Sequence, residues 1–308
     1  MTRVAALDLG TNTTRLLVAD VDGDRVEEVV RRTAITRLGE GVDARRRLLP
    51  VPIARVRNVL ADYRREADEL GAERTLLVAT SAVRDAENGE AFLGEIEWSY
   101  GFATRLLDGD EETRLTFAGV TCGRTLEPGT LLVDVGGGST ELSVDGDHGV
   151  SLDVGAVRLT ERFLHGDPPA RDEVEAAGAH VRGQLPPLEP RHAVGVAGTV
   201  TTLAALELGG YDGERVHGHV VTAESVEHWL DRLASLPLAE RRRLAGLEPE
   251  RAPVIVGGVV VVREVLRAYG LTGLETSVRD ILDGAALAAA ALPEPEEGAA
   301  PPGAFTCC

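Results

Sequence analysis

The amino-acid sequence predicts an α/β protein that is built from two domains. Three observations lead to this prediction. The chain has 308 residues, which is long enough for two domains. Segments with strand-like and helix-like patterns alternate along it. One glycine-rich hairpin pattern also occurs twice, and a repeated unit of this kind indicates two similar halves.

The repeat relates LDLGTNTTRLLV (7–18) to VDVGGGSTELSV (133–144). The two segments align without a gap, and each is predicted to form a strand, a glycine-rich turn and a second strand. Identical residues stand at five aligned positions: Asp8 and Asp134, Gly10 and Gly136, Thr14 and Thr140, Leu16 and Leu142, Val18 and Val144. We therefore expect the same hairpin in both domains, with an aspartate near the end of its first strand.

The remaining elements follow in alternation. After the first hairpin we expect a helix over 52–72 that ends at Gly71, a strand over 74–80, a helix over 86–101, a strand over 103–109 and a helix over 110–120. After the second hairpin come the segment 158–164, a helix near 172–185, a strand over 192–198, the segment 199–206, helices near 223–235 and 238–245, and the segments 254–270 and 278–292.

These elements predict three regions along the chain. The first domain is expected over 1–118 and the second over 119–292. The last region, 293–308, is rich in proline, glycine and acidic residues and is predicted to be a disordered tail.

The composition excludes several classes of function. The net charge is −18, and all 32 basic residues are arginine, so a lysine-dependent phosphate loop and Schiff-base chemistry are excluded. An acidic protein is a poor general binder of nucleic acid or of anionic membranes. We find no membrane span, no signal peptide and no cysteine framework, so a cytoplasmic protein without nucleic-acid or membrane partners is expected.

The two hairpins carry the residue types that bind a metal ion and phosphate. Asp8 and Asp134 stand where a strand ends, and Mg²⁺ needs only one or two carboxylates besides substrate oxygens. The turns that follow offer backbone N–H groups and hydroxyls to phosphate oxygens. The candidate phosphate-binding residues are Gly10, Thr11 and Asn12 in the first turn and Gly136, Gly137, Gly138, Ser139 and Thr140 in the second. A purely structural hairpin is the alternative at each turn.

The segment DGDEETR (108–114) places Asp110, Glu111 and Glu112 at the start of a predicted helix. Acidic side chains at this position cap the helix and complement its dipole. The alternative is that one of them is a general base that aligns a water molecule. The residues alone leave both interpretations open.

Arg84 follows the strand 74–80, at the sheet edge where ligands of α/β proteins bind. Its guanidinium group is suited to phosphate oxygens, and the alternative is an ion pair with Asp85 or Glu87. Thr199 in AGTVTTL (197–203) either lies near the far end of a ligand or caps a helix. For the two histidines of HGH (217–219) we predict a loop or strand and no metal role.

Taken together, the motifs resemble the exopolyphosphatase / guanosine pentaphosphate phosphohydrolase family (Ppx/GppA). The resemblance extends over about residues 4–285. The matching motifs, in the family's order, are DLGTNTTRLLV, RLGEGVD, ATSAVRDAENG, DGDEETRLTFAGV, DVGGGSTEL, DVGAVRLTERF, GVAGTVTTLAAL and VRDILDG. The resemblance implies two actin-like (ribonuclease H-like) domains of the actin, Hsp70 and sugar-kinase superfamily that face an interdomain cleft.

The resemblance also implies a function and roles for residues. It implies a Mg²⁺-dependent hydrolase, with Mn²⁺ as a possible substitute, that releases terminal phosphate from polyphosphate or from pppGpp. Glu112 matches the catalytic base and Glu141 is a second catalytic candidate. Asp8 and Asp134 match the metal site, and Arg84 and Thr199 contact phosphate. A homodimer is possible. The alternative is a nucleotide- or alarmone-binding sensor of the same fold that does not turn over its ligand.

Overall fold

The computed structural model describes residues 1–293, and within them the chain forms two compact units. Unit 1 consists of Met1–Arg124 and the segment that begins at Asp280, and unit 2 is Thr125–Arg279. The expected boundary after residue 118 differs from this division by a few residues. The predicted disordered tail, 293–308, lies outside the described residues apart from Pro293.

Unit 1 contains five strands and six helices within the described residues. The strands are β1 (Thr2–Leu9), β2 (Thr13–Asp22), β3 (Arg25–Ile35), β4 (Arg74–Ala79) and β5 (Ala103–Leu106). The helices are α1 (Val42–Arg45), α2 (Pro50–Glu69), α3 (Ser81–Arg84), α4 (Gly89–Tyr100), α5 (Gly109–Thr121) and α13 (Ile281–Ala290).

Unit 2 contains the intervening elements. Its strands are β6 (Thr130–Val135), β7 (Thr140–Val144), β8 (Asp147–Leu152), β9 (His192–Val196), β10 (Val220–Thr222) and β11 (Gly273–Thr276). Its helices are α6 (Ala156–Phe163), α7 (Arg171–Arg182), α8 (Ala197–Leu208), α9 (Gly213–Val216), α10 (Ala223–Ser235), α11 (Leu238–Arg241) and α12 (Ile255–Ala268).

The two sheets have the same topology over five strands. In unit 1 the order is β3-β2-β1-β4-β5, and in unit 2 it is β8-β7-β6-β9-β11, with β10 added at the edge. In both sheets the first three strands in sequence pair antiparallel. Two further strands are parallel to the first: β4 and β5 in unit 1, and β9 and β11 in unit 2. This shared topology confirms the internal repeat and the α/β prediction.

Apolar side chains cover both faces of the unit 1 sheet. On one face, Leu7 and Leu9 of β1 belong to a core cluster with Val56 and Leu60 of α2. On the other face, strand residues such as Ala6 pack against α13. In unit 2 the longest apolar run forms the buried helix α12, whose residues Ile255–Leu266 are all buried. A helix that is apolar around its whole circumference lies in the core of a protein.

Helix α13 corrects the predicted domain assignment. Sequence order places this segment in the predicted second domain, but the helix packs on β1, β2 and β4 of unit 1 and on α5. Two glycines permit the close approach of the two helices, because a Cβ atom at Gly119 would overlap the carbonyl oxygen of Asp280, and one at Gly284 would overlap that of Leu115. Sequence order alone does not reveal such a return of the chain.

Candidate functional site

The first hairpin holds its turn through backbone hydrogen bonds. The Gly10 N–H donates to the Thr13 carbonyl oxygen at 2.9 Å, and the carbonyl oxygen of Thr11 accepts from the Gly39 N–H at 2.8 Å. The Asn12 carbonyl oxygen accepts from the N–H groups of Thr36 and Arg37. The carbonyl oxygens of Thr11 and Asn12 are thus bound by the segment 36–39, which belongs to the same unit.

Asp8 lies directly opposite Arg15 in the hairpin register, and the two side chains form an ion pair. The Arg15 Nε and Nη2 atoms lie 2.9 and 2.7 Å from Asp8 Oδ2, and Arg15 Nη1 also pairs with Asp280. Burial raises the pKa of Asp8 against the opposing effect of Arg15. Burial also acts to raise the pKa of Asp280, but Arg15 and Arg31 outweigh it and hold that pKa below its ordinary value.

The second hairpin repeats the turn and is supported by α6. The Gly136 N–H donates to the Ser139 carbonyl oxygen at 3.0 Å, as in the first hairpin. The first N–H groups of α6 donate to the carbonyl oxygens of Gly136 and Gly137, and Arg158 Nε donates to that of Gly138 at 2.7 Å. The carbonyl oxygens of Gly136, Gly137 and Gly138 are thus all bound by α6.

The contact between the glycine turn and α6 depends on a further glycine. A Cβ atom at Gly155 would lie 2.5 Å from the carbonyl carbon and oxygen of Gly137. Gly155 is the N-cap of α6, so a side chain there would push the turn away from the helix. The motif DVGAVRL (153–159) therefore packs directly against the glycine turn and binds its carbonyl oxygens.

Asp134 lies opposite Glu141 in the second hairpin, so the two carboxylates occupy one face of the sheet. Both side chains are buried, and Glu141 Oε1 accepts a hydrogen bond from Ser151 Oγ at 2.8 Å. Among residues 1–293 no group of three or more His, Cys, Asp or Glu side chains is arranged to hold a metal ion. The structure thus brings Asp134 and Glu141 together as a pair.

Glu112 and Arg84 meet in unit 1. Arg84 Nη1 lies 3.1 Å from Glu112 Oε2 and donates to the Leu107 carbonyl oxygen at 2.8 Å. Glu112 is only 6% exposed although it lies in the first turn of α5. The partner that the structure gives Arg84 is therefore 28 residues away and is the predicted base.

Neighbouring acidic residues perform the capping that the sequence offered as the alternative. Asp108 is the N-cap of α5, and its side chain accepts from the Glu111 N–H at 2.8 Å. Glu111 Oε2 accepts from the Asp108 N–H in return, which completes a capping box. Of these two adjacent glutamates, Glu111 caps the helix and Glu112 is buried.

The start of α8 contacts an arginine that no sequence motif indicates, Arg251. A Cβ atom at Gly198 would overlap the Arg251 guanidinium group, so this cation lies directly on the first turn of the helix. Ala197 precedes it with a left-handed φ of 66°, a strained conformation for a residue with a side chain. Arg251 lies far from Gly198 in the sequence, and only the fold brings the two together.

Thr199 does not cap α8 as one alternative proposed, because the N-cap is Val196. Its hydroxyl packs against α12, since a Cβ atom at Gly258 would overlap Thr199 Oγ1. The assignment of Thr199 to phosphate binding stays a prediction.

The two histidines of HGH contact other residues than the candidate site groups. His217 Nδ1 accepts from the Val278 N–H, and His219 Nε2 lies 2.5 Å from Glu207 Oε2.

Comparisons with known proteins agree with these features. The family described as the Ppx/GppA phosphatase family matches residues 17–284. The Mycobacterium tuberculosis protein named Exopolyphosphatase 2 is 42% identical over 318 aligned positions, which cover 94% of this chain and 99% of the relative. None of the helices within 1–293 is long and apolar enough to cross a membrane.

Solved structures show the same fold. A structure described as an exopolyphosphatase-like protein is 33% identical, with a TM-score of 0.85 and coverage of 93% of this chain and 98% of the other. An Aquifex aeolicus member of the Ppx/GppA family is 32% identical, with a TM-score of 0.77 and coverage of 93% and 97%. The motifs, the duplicated hairpin and these matches lead to one conclusion: the chain belongs to the Ppx/GppA phosphatase family.

Proposed function

We propose that this chain is a Mg²⁺-dependent exopolyphosphatase, which cleaves the terminal phosphoanhydride bond of inorganic polyphosphate. The observation that carries the proposal is the buried Glu112 in contact with Arg84 at the start of α5. A carboxylate that only capped the helix would lie at the surface, as Glu111 does in part. The proposal is further supported by the family and by the relative named Exopolyphosphatase 2.

The second hairpin suits the metal ion better than the first. Asp134 and Glu141 are two buried carboxylates on one face, and Mg²⁺ prefers oxygen ligands and needs one or two carboxylates. Two carboxylates on one face of a sheet also disfavour each other's charge, and a bound cation relieves that repulsion. Asp8 is engaged by Arg15 instead. We therefore assign the ion to Asp134 and Glu141 and give Asp8 a structural role in the first turn.

The residues of the chain divide the remaining tasks. Glu112 accepts a proton from the attacking water and aligns it with the terminal phosphorus atom. Arg84 positions that carboxylate, and its guanidinium group is chemically suited to phosphate oxygens. The N–H groups of Thr11 and Asn12 in unit 1, and those of Gly137 and Gly138 with the Arg251 guanidinium in unit 2, offer hydrogen bonds to phosphate oxygens. Mg²⁺, when bound, neutralises the charge on the transferred phosphoryl group.

The test is phosphate release from tripolyphosphate, long-chain polyphosphate, pppGpp and ATP, each with Mg²⁺ and with excess EDTA. We expect release from the polyphosphates, loss of release in EDTA and recovery when Mg²⁺ or Mn²⁺ is restored. Release from pppGpp alone would change the substrate to the alarmone. Tight binding of any of these ligands without release would support the sensor alternative. Light scattering of the same sample reports whether the chain forms the expected homodimer.

A further inference from the structure

An exposed group of arginines adjoins the first hairpin. The segment TRLGEGVDARRR (36–47) contains Arg37, Arg45, Arg46 and Arg47 against two acidic residues, Glu40 and Asp43. We call residues 36–47, which carry these four arginines, the arginine segment. It is positively charged in a chain whose net charge is −18. Arg45, Arg46 and Arg47 are all exposed. Arg46 Nη1 lies 4.0 Å from Asp85 Oδ1, so the proposal below relies on Arg45 and Arg47.

One end of the arginine segment is bound to the predicted phosphate turn. The N–H of Arg37 donates to the Asn12 carbonyl oxygen at 2.9 Å, and the Gly39 N–H donates to that of Thr11. A Cβ atom at Gly39 would overlap the Thr11 side chain, so the two backbones lie in direct contact. The segment therefore starts at the turn that is expected to bind phosphate.

The other end is bound to the loop that follows Arg84. The Arg46 carbonyl oxygen accepts from the Glu87 N–H at 2.8 Å. Leu48 exchanges two hydrogen bonds with the Asn88 side chain, at 2.8 and 3.1 Å. Since Glu87 is three residues from Arg84 and each residue spans at most about 3.6 Å, the backbone of Arg46 lies within roughly 14 Å of Arg84.

The backbone of the segment is fixed in an unusual conformation. Arg37 and Arg46 have left-handed φ values of 52° and 53°, which side-chain-bearing residues rarely adopt. Arg55 of α2 donates to the carbonyl oxygens of Thr36 and Arg37 and pairs with Glu40. Strained residues persist where the surroundings hold them, and they often mark ligand sites. A fixed backbone with exposed cationic side chains is suited to binding an extended anion.

We propose that the arginine segment binds the phosphates of a linear polyphosphate chain beyond the end that is cleaved. This inference rests on the proposed function and specifies its substrate as a polymer. A row of charges along a fixed loop suits a ligand with one charge per repeating unit. A nucleotide base offers no such row, and the segment 36–49 contains no aromatic side chain on which a base would stack. The segment offsets locally the repulsion that the acidic surface exerts on a polyanion.

The test uses the double variant R45Q/R47Q and a matched control. The chain has a second run of three arginines, Arg241–Arg243, in which Arg242 and Arg243 are exposed. The control is R242Q/R243Q, which changes the net charge equally. Arg46 is retained because its left-handed backbone belongs to the fold. Thermal unfolding of all three proteins checks that each variant is folded.

We measure the KM and kcat of each protein for tripolyphosphate and for polyphosphate of about 100 phosphates, and the Kd of the long chain at several NaCl concentrations. R45Q/R47Q removes two exposed arginine–phosphate pairs. This loss should raise KM and Kd for the long chain roughly 5–10-fold. The change for tripolyphosphate should stay within about twofold. The slope of log Kd against log salt should also fall by about 1–2, because fewer ions are exchanged.

The outcomes separate the two proposals. If the parent protein hydrolyses polyphosphate but R45Q/R47Q and R242Q/R243Q show equal KM and salt slope, the inference about the arginine segment is wrong and the proposed function stands. If no protein releases phosphate but R45Q/R47Q alone loses affinity for the long chain, the binding surface stands and the proposed function is wrong. A larger KM change for tripolyphosphate than for the long chain would place the arginines at the cleaved end and overturn the inference.

Discussion

Arg15 and Asp8 lie opposite each other across the first hairpin and form an ion pair, with Arg15 Nη2 2.7 Å from Asp8 Oδ2. In the second hairpin the aligned positions hold Glu141 and Asp134. The duplicated unit has therefore kept its aspartate and changed the residue that faces it. A cation in the first copy and an anion in the second give the two hairpins different chemistry. We attribute the metal to the copy that has two carboxylates.

The first prediction concerns the stability of unit 1. Arg15 joins Asp8 of β1 to Asp280, the N-cap of α13, within the buried core. Arg15→Met removes the cation that pairs with both buried carboxylates, and it leaves Asp280 with Arg31 at 3.9 Å. We expect a loss on the order of 3–5 kcal/mol in the free energy of unfolding. Urea unfolding measures it.

The control is Arg65→Met on α2, whose side chain is 71% exposed and pairs with Asp62. An exposed pair of this kind contributes about 0–1 kcal/mol. Equal losses for the two variants would show that the Arg15 cluster does not hold α13 on the sheet.

The second prediction concerns the metal. Glu141→Gln keeps the size of the side chain and its hydrogen bond with Ser151, but removes one of two carboxylates. Weaker coordination should raise the Mg²⁺ concentration needed for half-maximal turnover at least tenfold, since one charged ligand is lost. Asp8→Asn should leave that concentration nearly unchanged. Mg²⁺ titrations of both variants measure this, and the reverse order of effects would move the ion to the first hairpin.

The sequence pattern predicts some strands of the two sheets and misses others. The gapless repeat predicted both hairpins, and their registers confirm it. The edge strand β3 was missed because its burial does not alternate, as Arg25–Ile35 is mostly exposed or half-buried. Period-2 patterning appears only where one face of a strand is buried. The alternation rule therefore finds central strands better than edge strands.

Contacts between distant residues lie beyond any local pattern. Glu112 and Glu111 are adjacent and alike in sequence, yet the fold buries one and leaves the other to cap α5. The Arg251 side chain reaches Gly198 through the packing of unit 2, and no spacing rule connects them. The capping box, by contrast, is local, because it joins Asp108 and Glu111. Of these two residues only Glu111 is predicted from the sequence as a capping candidate.

The third prediction tests the support of the glycine turn. Gly155→Ala introduces a Cβ atom 2.5 Å from Gly137 backbone atoms, so the turn 136–139 must move. We expect at least a tenfold loss in kcat/KM, because displacement of binding groups by about 1 Å costs up to 10²-fold. Gly94→Ala on α4 is the control, since open space surrounds that position. Full activity of Gly155→Ala would mean that the turn is not held against α6 during turnover.

The fourth prediction tests Arg251 through its contact with α8. Gly198→Ala would expel the guanidinium group from the first turn of the helix, and Arg251 can move because it is the end of a flexible side chain. We expect KM to rise about tenfold in Gly198→Ala and in Arg251→Gln, as for the loss of a charged hydrogen bond. The double variant should resemble either single variant. Fully additive effects would show that the two residues act independently.

The last prediction concerns Glu112, because it separates an enzyme from a sensor. Glu112→Gln preserves the shape of a buried side chain and its reach toward Arg84, but removes the oxygen that accepts a proton. Loss of a general base typically lowers the rate by ~10²–10⁴. Substrate affinity should change little, because the proposed function assigns phosphate binding to the turns and the arginines and not to Glu112.

Glu111→Gln is the internal control, since it lies next to Glu112 and serves the capping box. It keeps an oxygen that accepts the Asp108 N–H, so turnover should stay near that of the parent protein. The measurement is kcat from single-turnover phosphate release and Kd for polyphosphate by titration, for both variants and the parent. A slow Glu112→Gln that binds normally identifies the base. A normal rate in Glu112→Gln, or a slow Glu111→Gln, would remove Glu112 from the mechanism and return the buried pair with Arg84 to a role in folding alone.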